Sequence, residues 1–509
     1  MFNWLFILFT YHPWLCVILS IILLLGVYDL LTTPMEIEGI FTIPNELPIF
    51  GHLIQIINNP SLVFLNWCNL YNESIFQIRI GNTRYVVVNS YNDVFNLWIN
   101  YSCQNNSRPI HYTFHKLVSS YQGYTIGSTP SSPTCKRKKK SIGKFMTRSS
   151  IDQYREIINE NINQTIHELF KHTYDEIDLM KYFQQYILKT SIMISYGIEL
   201  TDTELIDKII YVENQIIKLR SSISCLQDTI PVLRIFPSRA RSLGKRREVY
   251  MNKFMKELDL NSERGWNSIV GNLLTNESLT VEEIQSVCLT LVSAGLDNTP
   301  LNLNYLFGVI SSREDIQLNA LRNILETSND NLELAWEQSQ TVKCDYVYAI
   351  VLECLRNFSV LPLSLPRLTT KTINYKGLIL PNGTNLLMNT YSANHDPEIF
   401  DNPYEFRPER WLKDGKLIIN PASSFQNHFT FGAGSRMCSG NNLATKEIYE
   451  ITIRLLLIFE IITNEEFELN PFRSNTNPKG ISFEPKQHCI ILKPRYLTGF
   501  EKLYELINR

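Results

Sequence analysis

The chain has 509 residues, of which 44% are hydrophobic and 19% charged, enough apolar sequence for a large core and too much for a disordered chain. Its 48 Lys and Arg are balanced by 50 Asp and Glu, for a net charge of −2, so overall charge points to no nucleic-acid or acidic partner. A mean hydropathy of −0.10 with one long apolar run excludes a polytopic membrane protein, and ten cysteines without a C-x-x-C pair argue against a disulfide framework or a zinc cluster.

The apolar run opens the chain. From Trp4 to Leu31 there is no Lys, Arg or Glu, and about 20 apolar residues suffice to span a bilayer. Residues 1–31 are therefore expected to form a single N-terminal membrane anchor. A cleaved signal peptide is the rival reading; it lacks a basic lead-in and a small-x-small site after the apolar core. The first basic residue is Arg79, so flanking charge does not orient the segment. Residues 32–60, with Pro44, Pro48 and Gly51, read as an extended hinge and the start of the catalytic domain, which then occupies 61–509.

Within that domain, Ile75 to Asn89 predicts two strands around a Gly81-Asn82 turn. An aromatic-rich stretch follows over 105–127, then five consecutive basic residues, Lys136 to Lys140. Helical periodicity predominates from Ser149 to about Tyr250, from Val281 to about Leu325, and from Asp345 to Asn357. Residues 361–411, rich in Pro, Gly and Asn, read as short strands and turns.

The strongest chemical signal is Phe431-Gly432-Ala433-Gly434-Ser435-Arg436-Met437-Cys438-Ser439-Gly440. Its glycines allow a tight, exposed loop. Cys438 lies just before a helix running through Leu443, Ala444, Glu447 and Ile448, and a helix N-terminus favours a thiolate. Arg436 adds a permanent cation with a planar fork, and Gly440 lets a flat macrocycle come close. A thiolate with a nearby cation and an aromatic wall is what a heme iron with a cysteine ligand needs. The competing readings are a buried structural thiol and a dinucleotide loop, the latter lacking its third glycine.

This segment resembles the heme-binding loop of cytochrome P450 monooxygenases, and further segments fall in that family's order along the chain. Glu353-Cys354-Leu355-Arg356 matches its E-x-x-R, and Phe406-Arg407-Pro408-Glu409-Arg410-Trp411 the segment whose arginine, Arg410, completes an ion network with Glu353 and Arg356. At i,i+3 the two charges share a helix face; an exposed pair would be worth little, but the apolar flank Tyr348 to Leu352 predicts burial. Ala294-Gly295-Leu296-Asp297-Asn298-Thr299-Pro300 matches the oxygen-side motif. Ala294 and Gly295 leave room for a ligand, Asp297 supplies a carboxylate for proton relay, and Asn298 stands where the family has threonine. Thr299, about 100° further round the helix, is the alternative hydroxyl. The bland reading of the segment is a helix kinked by Pro300.

The resemblance implies a mainly α cytochrome P450 fold, a helical prism with small β-sheets and a single N-terminal transmembrane helix. It implies heme b (iron protoporphyrin IX) held by Cys438 as the iron ligand, with Arg436, Arg367, Lys139, Phe431, Gly432 and Gly440 around it. Arg367 and Lys139 are the expected propionate partners, since the tryptophan common before the basic run in relatives is absent. It further implies O2 as co-substrate, electrons from an NADPH–cytochrome reductase drawn to the basic run and from cytochrome b5, and a single-pass endoplasmic reticulum location with the catalytic domain facing the cytoplasm. No nucleic-acid partner is expected.

Asn106-Ser107-Arg108-Pro109 and Tyr112 to Gly127, with Phe76 to Arg84 and Cys288 to Asp297, are similar to the fungal phenylacetate hydroxylase group. Ring hydroxylation of phenylacetate or a hydroxyphenylacetate is the implied reaction, with Tyr112 and Phe114 bordering the substrate. Arg473 and Lys479 are the candidate cations for its carboxylate. Asn298 motivates a heme-thiolate isomerase or dehydratase as the alternative; a monooxygenase of lipids or secondary metabolites is another, and a non-catalytic heme sensor fits the aromatic loop least.

Overall fold

The computed structural model describes residues 13–120, 123–221, 225–275, 279–341, 343–418, 428–496 and 499–507. Residues 1–12, and so the beginning of the expected anchor, lie outside them, as do Tyr121 and Gln122 of the aromatic stretch. Helices predominate. Among them are α1 (Pro13–Thr32), α2 (Pro133–Gly143), α3 (Arg155–Phe170), α4 (Met180–Tyr196), α5 (Thr203–Lys218), α6 (Ala240–Glu257), α7 (Val281–Ser312), α8 (Glu314–Thr327), α9 (Asp345–Phe358) and α10 (Asn441–Ile458).

A five-stranded sheet is formed by β1 (Phe41–Thr42), β2 (Ile75–Ile80), β3 (Thr83–Val88), β4 (Arg367–Leu368) and β5 (Asn385–Met388), in the order β1-β2-β3-β5-β4. The predicted hairpin is the antiparallel β2–β3 pair, from Ile75 opposite Val88 to Ile80 opposite Thr83. Parallel pairing of β3 with β5 then puts Arg367, on the antiparallel edge strand β4, opposite Leu386. A smaller sheet joins Glu176–Ile177, Phe459–Ile462 and Ile490–Pro494.

The expected hinge does not run free. Phe41 and Thr42 pair with Phe76 and Gln77, and buried Arg79 gathers what surrounds it: its Nη1 donates to Asp29 Oδ1 at 2.9 Å and its Nε to Glu46 Oε2 at 2.9 Å. Glu46 Oε1 in turn accepts from Arg84 at 2.9 Å. The end of α1 is thus fastened to the sheet. On α1 itself Trp14, Leu23, Leu24, Leu30 and Leu31 are exposed. Among the described residues no helix is long and apolar enough to cross a membrane.

Helix α7 is the central element. It starts at a capping box, in which Thr280 accepts from the Glu283 N–H and the Glu283 carboxylate accepts from the Thr280 N–H, satisfying two backbone donors that a helix start leaves open. It continues through Pro300 to Ser312, although proline removes one N–H from the ladder. The helical pattern expected to about Leu325 is divided at Arg313, whose backbone leaves the helix (φ −126°, ψ 80°) before α8 begins. Helix α7 packs along α4 and touches α9 and α10, and its second half, from Leu301 to Ile310, is wholly buried.

Candidate active site around Cys438

The cysteine loop folds back on itself. The Cys438 N–H donates to Phe431 O at 2.9 Å, and the Gly432 N–H to Phe429 O at 2.7 Å. Gly432 and Gly434 both take positive φ, 68° and 59°, a region that favours glycine. A Cβ on Gly434 would sit 2.0 Å from Trp98 O, whereas one on Gly432 or Gly440 would meet nothing within 4 Å. The loop therefore presses on Trp98 on one side and faces open volume on the other.

Cys438 lies deep among protein atoms, and that burial pushes its thiol up; the Gly440 N–H bonded to the sulfur and the charge of Lys139 pull it back. Its side chain is nonetheless exposed. A side chain both surrounded and accessible stands on the wall of an internal space. Ala294 is likewise exposed in the middle of α7, between buried Val292 and Leu296.

Three guanidiniums gather beside this loop. Arg367 donates to Asn105 Oδ1 at 2.9 Å and to Ala433 O. Arg436 donates to Ile126 O, Gly127 O and Thr129 O at 3.2, 3.2 and 2.8 Å. Arg108 donates from Nε to Gly127 O at 3.0 Å and from Nη1 to Leu365 O and Pro366 O at 2.7 and 2.8 Å. Burial and the charge of Arg436 push Arg367 down to about 9, and burial with both other arginines pushes Arg108 well below its ordinary value. Among the described residues no carboxylate answers this charge. Lys139, whose Nζ donates to Ser435 O, adds to it.

Such a cluster is costly unless an anion joins it. Buried cations without counter-charge, an accessible cysteine and two glycines facing open volume fit a flat, acid-bearing macrocycle with a thiolate-bound iron. Cys438 would hold the iron; Arg108, Arg367, Arg436 and Lys139 would face the acid groups.

In the ion network beneath the loop Glu353 and Arg356 are fully buried and Arg410 is partly exposed. Glu353 accepts from Arg356 Nε and Nη2 at 2.9 and 2.8 Å, from Arg410 Nε at 2.9 Å and from Trp411 Nε1 at 2.9 Å. Arg356 Nη1 also donates to Asn394 O and Pro403 O at 2.9 and 2.8 Å. Asn394 Oδ1 then accepts the Phe429 N–H at 2.8 Å, and Thr430 Oγ1 donates to Leu355 O. These contacts connect α9 to the start of the cysteine loop.

On α7, Asp297 is buried and its Oδ2 accepts from Ser482 Oγ at 3.0 Å. Burial pushes its carboxyl up to about 6, opposed by the Ser482 bond and the charge of Arg220. Asn298, partly exposed, donates to Ala294 O at 3.3 Å and leaves its Oδ1 without a partner. Thr299 is buried. Gly295, partly exposed, approaches Ile187 of α4. The stretch from Tyr124 to Thr129 bridges α7 and the loop: the Ile126 N–H donates to Thr290 Oγ1 at 2.9 Å while Arg436 grips its carbonyls.

The basic run is not one face. Lys138 is buried, donating to Thr129 Oγ1 and Ser286 Oγ at 2.9 and 2.8 Å, while Arg137 pairs with Glu283; Lys136 and Lys140 are exposed. Phe114 lines a small cavity with Arg108, His111, His115 and Arg220. Tyr112 is not among its lining residues, and its ring is covered by Arg234 at 4.7 Å. Arg473 and Lys479 are exposed and do not line it. Sequence reasoning missed Arg220 and Ser482 as site residues, and placed Arg108 only within a subgroup motif.

A mainly helical body with an accessible internal cysteine under uncompensated arginines defines a heme-thiolate protein. The Cytochrome P450 family model matches residues 42–491, and the chain belongs to that family. Phenylacetate 2-hydroxylase of Emericella nidulans is 35% identical, over 90% of this chain and 91% of its own. 3-Hydroxyphenylacetate 6-hydroxylase of the same organism is 33% identical, over 89% and 88%. Cytochrome P450 monooxygenase CYP3 of Mycosarcoma maydis is 30% identical, over 89% and 86%. The protein is thus a heme-dependent cytochrome P450 monooxygenase, acting with O2 and a redox partner. When bound, the heme would supply the iron chemistry of dioxygen activation; Cys438 would hold the iron, and the arginine cluster would neutralise the acid groups.

Proposed function

We propose that the protein hydroxylates the aromatic ring of phenylacetate or a hydroxyphenylacetate, with electrons from an NADPH–cytochrome reductase. The likeness to two hydroxylases of these acids over about nine-tenths of both chains carries this reading. The aromatic wall of Phe114 and the cationic lining of the adjoining cavity support it. Asp297, held by Ser482 and poised near neutrality, relays protons toward the oxygen side, and the unpartnered Asn298 carboxamide oxygen orients water where relatives use a hydroxyl. Cytochrome b5 serves as a second electron donor.

We further propose that the N-terminal segment holds the protein in the endoplasmic reticulum membrane by a single pass, with the catalytic domain facing the cytoplasm. The exposed apolar side chains of α1, and an apolar sequence continuing upstream to Trp4, support it.

The test of substrate is spectral and chemical. Phenylacetate or a hydroxyphenylacetate should convert the ferric protein from low to high spin. With reductase and NADPH it should yield a ring-hydroxylated product in step with O2 use. No spin change across these acids removes the substrate; turnover without O2 or NADPH favours the isomerase or dehydratase alternative.

A further inference from the structure

We propose that Arg220 is the residue that selects for the substrate's carboxylate, an assignment that rests on the aryl-acid reading above. Arg220 opens onto the cavity beside Phe114. That cavity is lined by four basic side chains, Arg108, His111, His115 and Arg220, together with apolar Phe114 and Leu365. Three of the four basic groups are already committed or neutral. Arg108 gives Nε and Nη1 to the Gly127, Leu365 and Pro366 carbonyls. His115 Nδ1 accepts the His111 N–H at 2.9 Å, so its proton sits on Nε2, which donates to Ser128 O at 3.1 Å. His111 is pushed down to about 4, first by burial and then by His115 and Arg220, and is neutral at pH 7.

Arg220 differs from all of these. Its guanidinium has no hydrogen bond or ion pair among the described residues; it lies over the Phe114 ring, 4.8 Å from the centroid. Stacking on an aromatic face fixes the plane of a guanidinium and leaves its in-plane N–H fork open, the geometry that accepts a carboxylate in bidentate fashion. The neighbouring cation Arg247 is matched by Glu213, with Nε to Oε1 at 2.8 Å, and Glu213 and Asp297 act on Arg220 by charge at a distance, without a direct bond. Its position is on the oxygen side of the site. The next residue, Ser221, donates to Lys479 O at 2.8 Å, in the loop whose Ser482 donates to Asp297 at 3.0 Å. An aryl acid with its carboxylate on Arg220 would have its ring beside the apolar side chains of Phe114 and Leu365.

The experiment uses the heme-loaded protein, unaltered and as Arg220→Gln and Arg220→Lys, each checked for an unchanged carbon monoxide difference band. Affinities for phenylacetate and the uncharged phenylacetamide are read from the low-to-high spin shift. Loss of one charged hydrogen-bonding group predicts that Arg220→Gln weakens phenylacetate roughly 10- to 100-fold. Phenylacetamide should move by less than about threefold, and Arg220→Lys should restore part of the loss. Unchanged phenylacetate affinity overturns the assignment and leaves Arg220 as the counter-charge of Asp297. Equal weakening of both ligands also overturns it, because Arg220 would then only pack against Phe114.

If no aryl acid shifts the spin of the unaltered protein, the substrate reading fails separately. Arg220 is then tested with iron-ligating imidazoles carrying a carboxylate or a carboxamide on chains of graded length. A preference for the acid that vanishes in Arg220→Gln keeps the assignment, and no preference at any length removes it.

Discussion

Asp297 is pulled in two directions by identifiable neighbours. Burial raises its pKa to about 6, from an ordinary 3.8, against the Ser482 bond and the Arg220 charge. Since the folded value is the higher one, the folded chain holds a proton there that the unfolded chain has released between these two values. Its contribution to stability is full below 3.8 and is lost as pH rises to about 6. Above about 6 the group is mostly a carboxylate able to accept a proton, and below it mostly an acid. Product formation should therefore bend near pH 6, and Asp297→Asn should abolish that bend and cut the rate by roughly 100-fold. A pH profile of product formed per NADPH consumed checks this; a bend surviving in the variant would place the relay elsewhere. The same neighbourhood separates Asn298 from Thr299: one is partly exposed with an unpartnered oxygen, the other packed into the core.

At the level of elements, α9 supports the cysteine loop through a buried carboxylate and two arginines. Removing one partner of such a network leaves charge stranded, at a cost of about 3–5 kcal/mol. Arg356→Leu should lower the heme-to-protein ratio and the melting temperature together, because Arg356 also holds Asn394, which positions Phe429. Full heme content with unaltered melting would show that the loop stands without this support. Much of the scaffold could be read from the chain: the β2–β3 hairpin is two strand-like runs around Gly81-Asn82, and the cysteine loop is one contiguous motif. The end of α7 was not legible, because Arg313 carries no glycine or proline signal and is instead followed by the acidic start of α8. Nor was the Ser482–Asp297 bond, whose partners are 185 positions apart. Lys136, Lys138 and Lys140 look alike in sequence, yet helical rotation buries the middle one among hydroxyls and leaves the outer two exposed.

For the whole molecule, the anchor reading predicts where the protein resides. Deleting residues 2–24 leaves Asp29 and its bond to Arg79 in place. The shortened chain should move from the membrane pellet, resistant to alkaline carbonate, to the soluble fraction while keeping its carbon monoxide band. Retention in the pellet would mean that other surfaces hold it to lipid.

The junction of α1 with the sheet then has a mechanical meaning. Asp29, Glu46, Arg79 and Arg84 form a rivet of alternating charges rather than a slack cord. On the proposed anchoring, a body riveted to its mast would keep one heading, and the Asp29–Arg79 bond at the mast's foot would decide which flank meets the lipid.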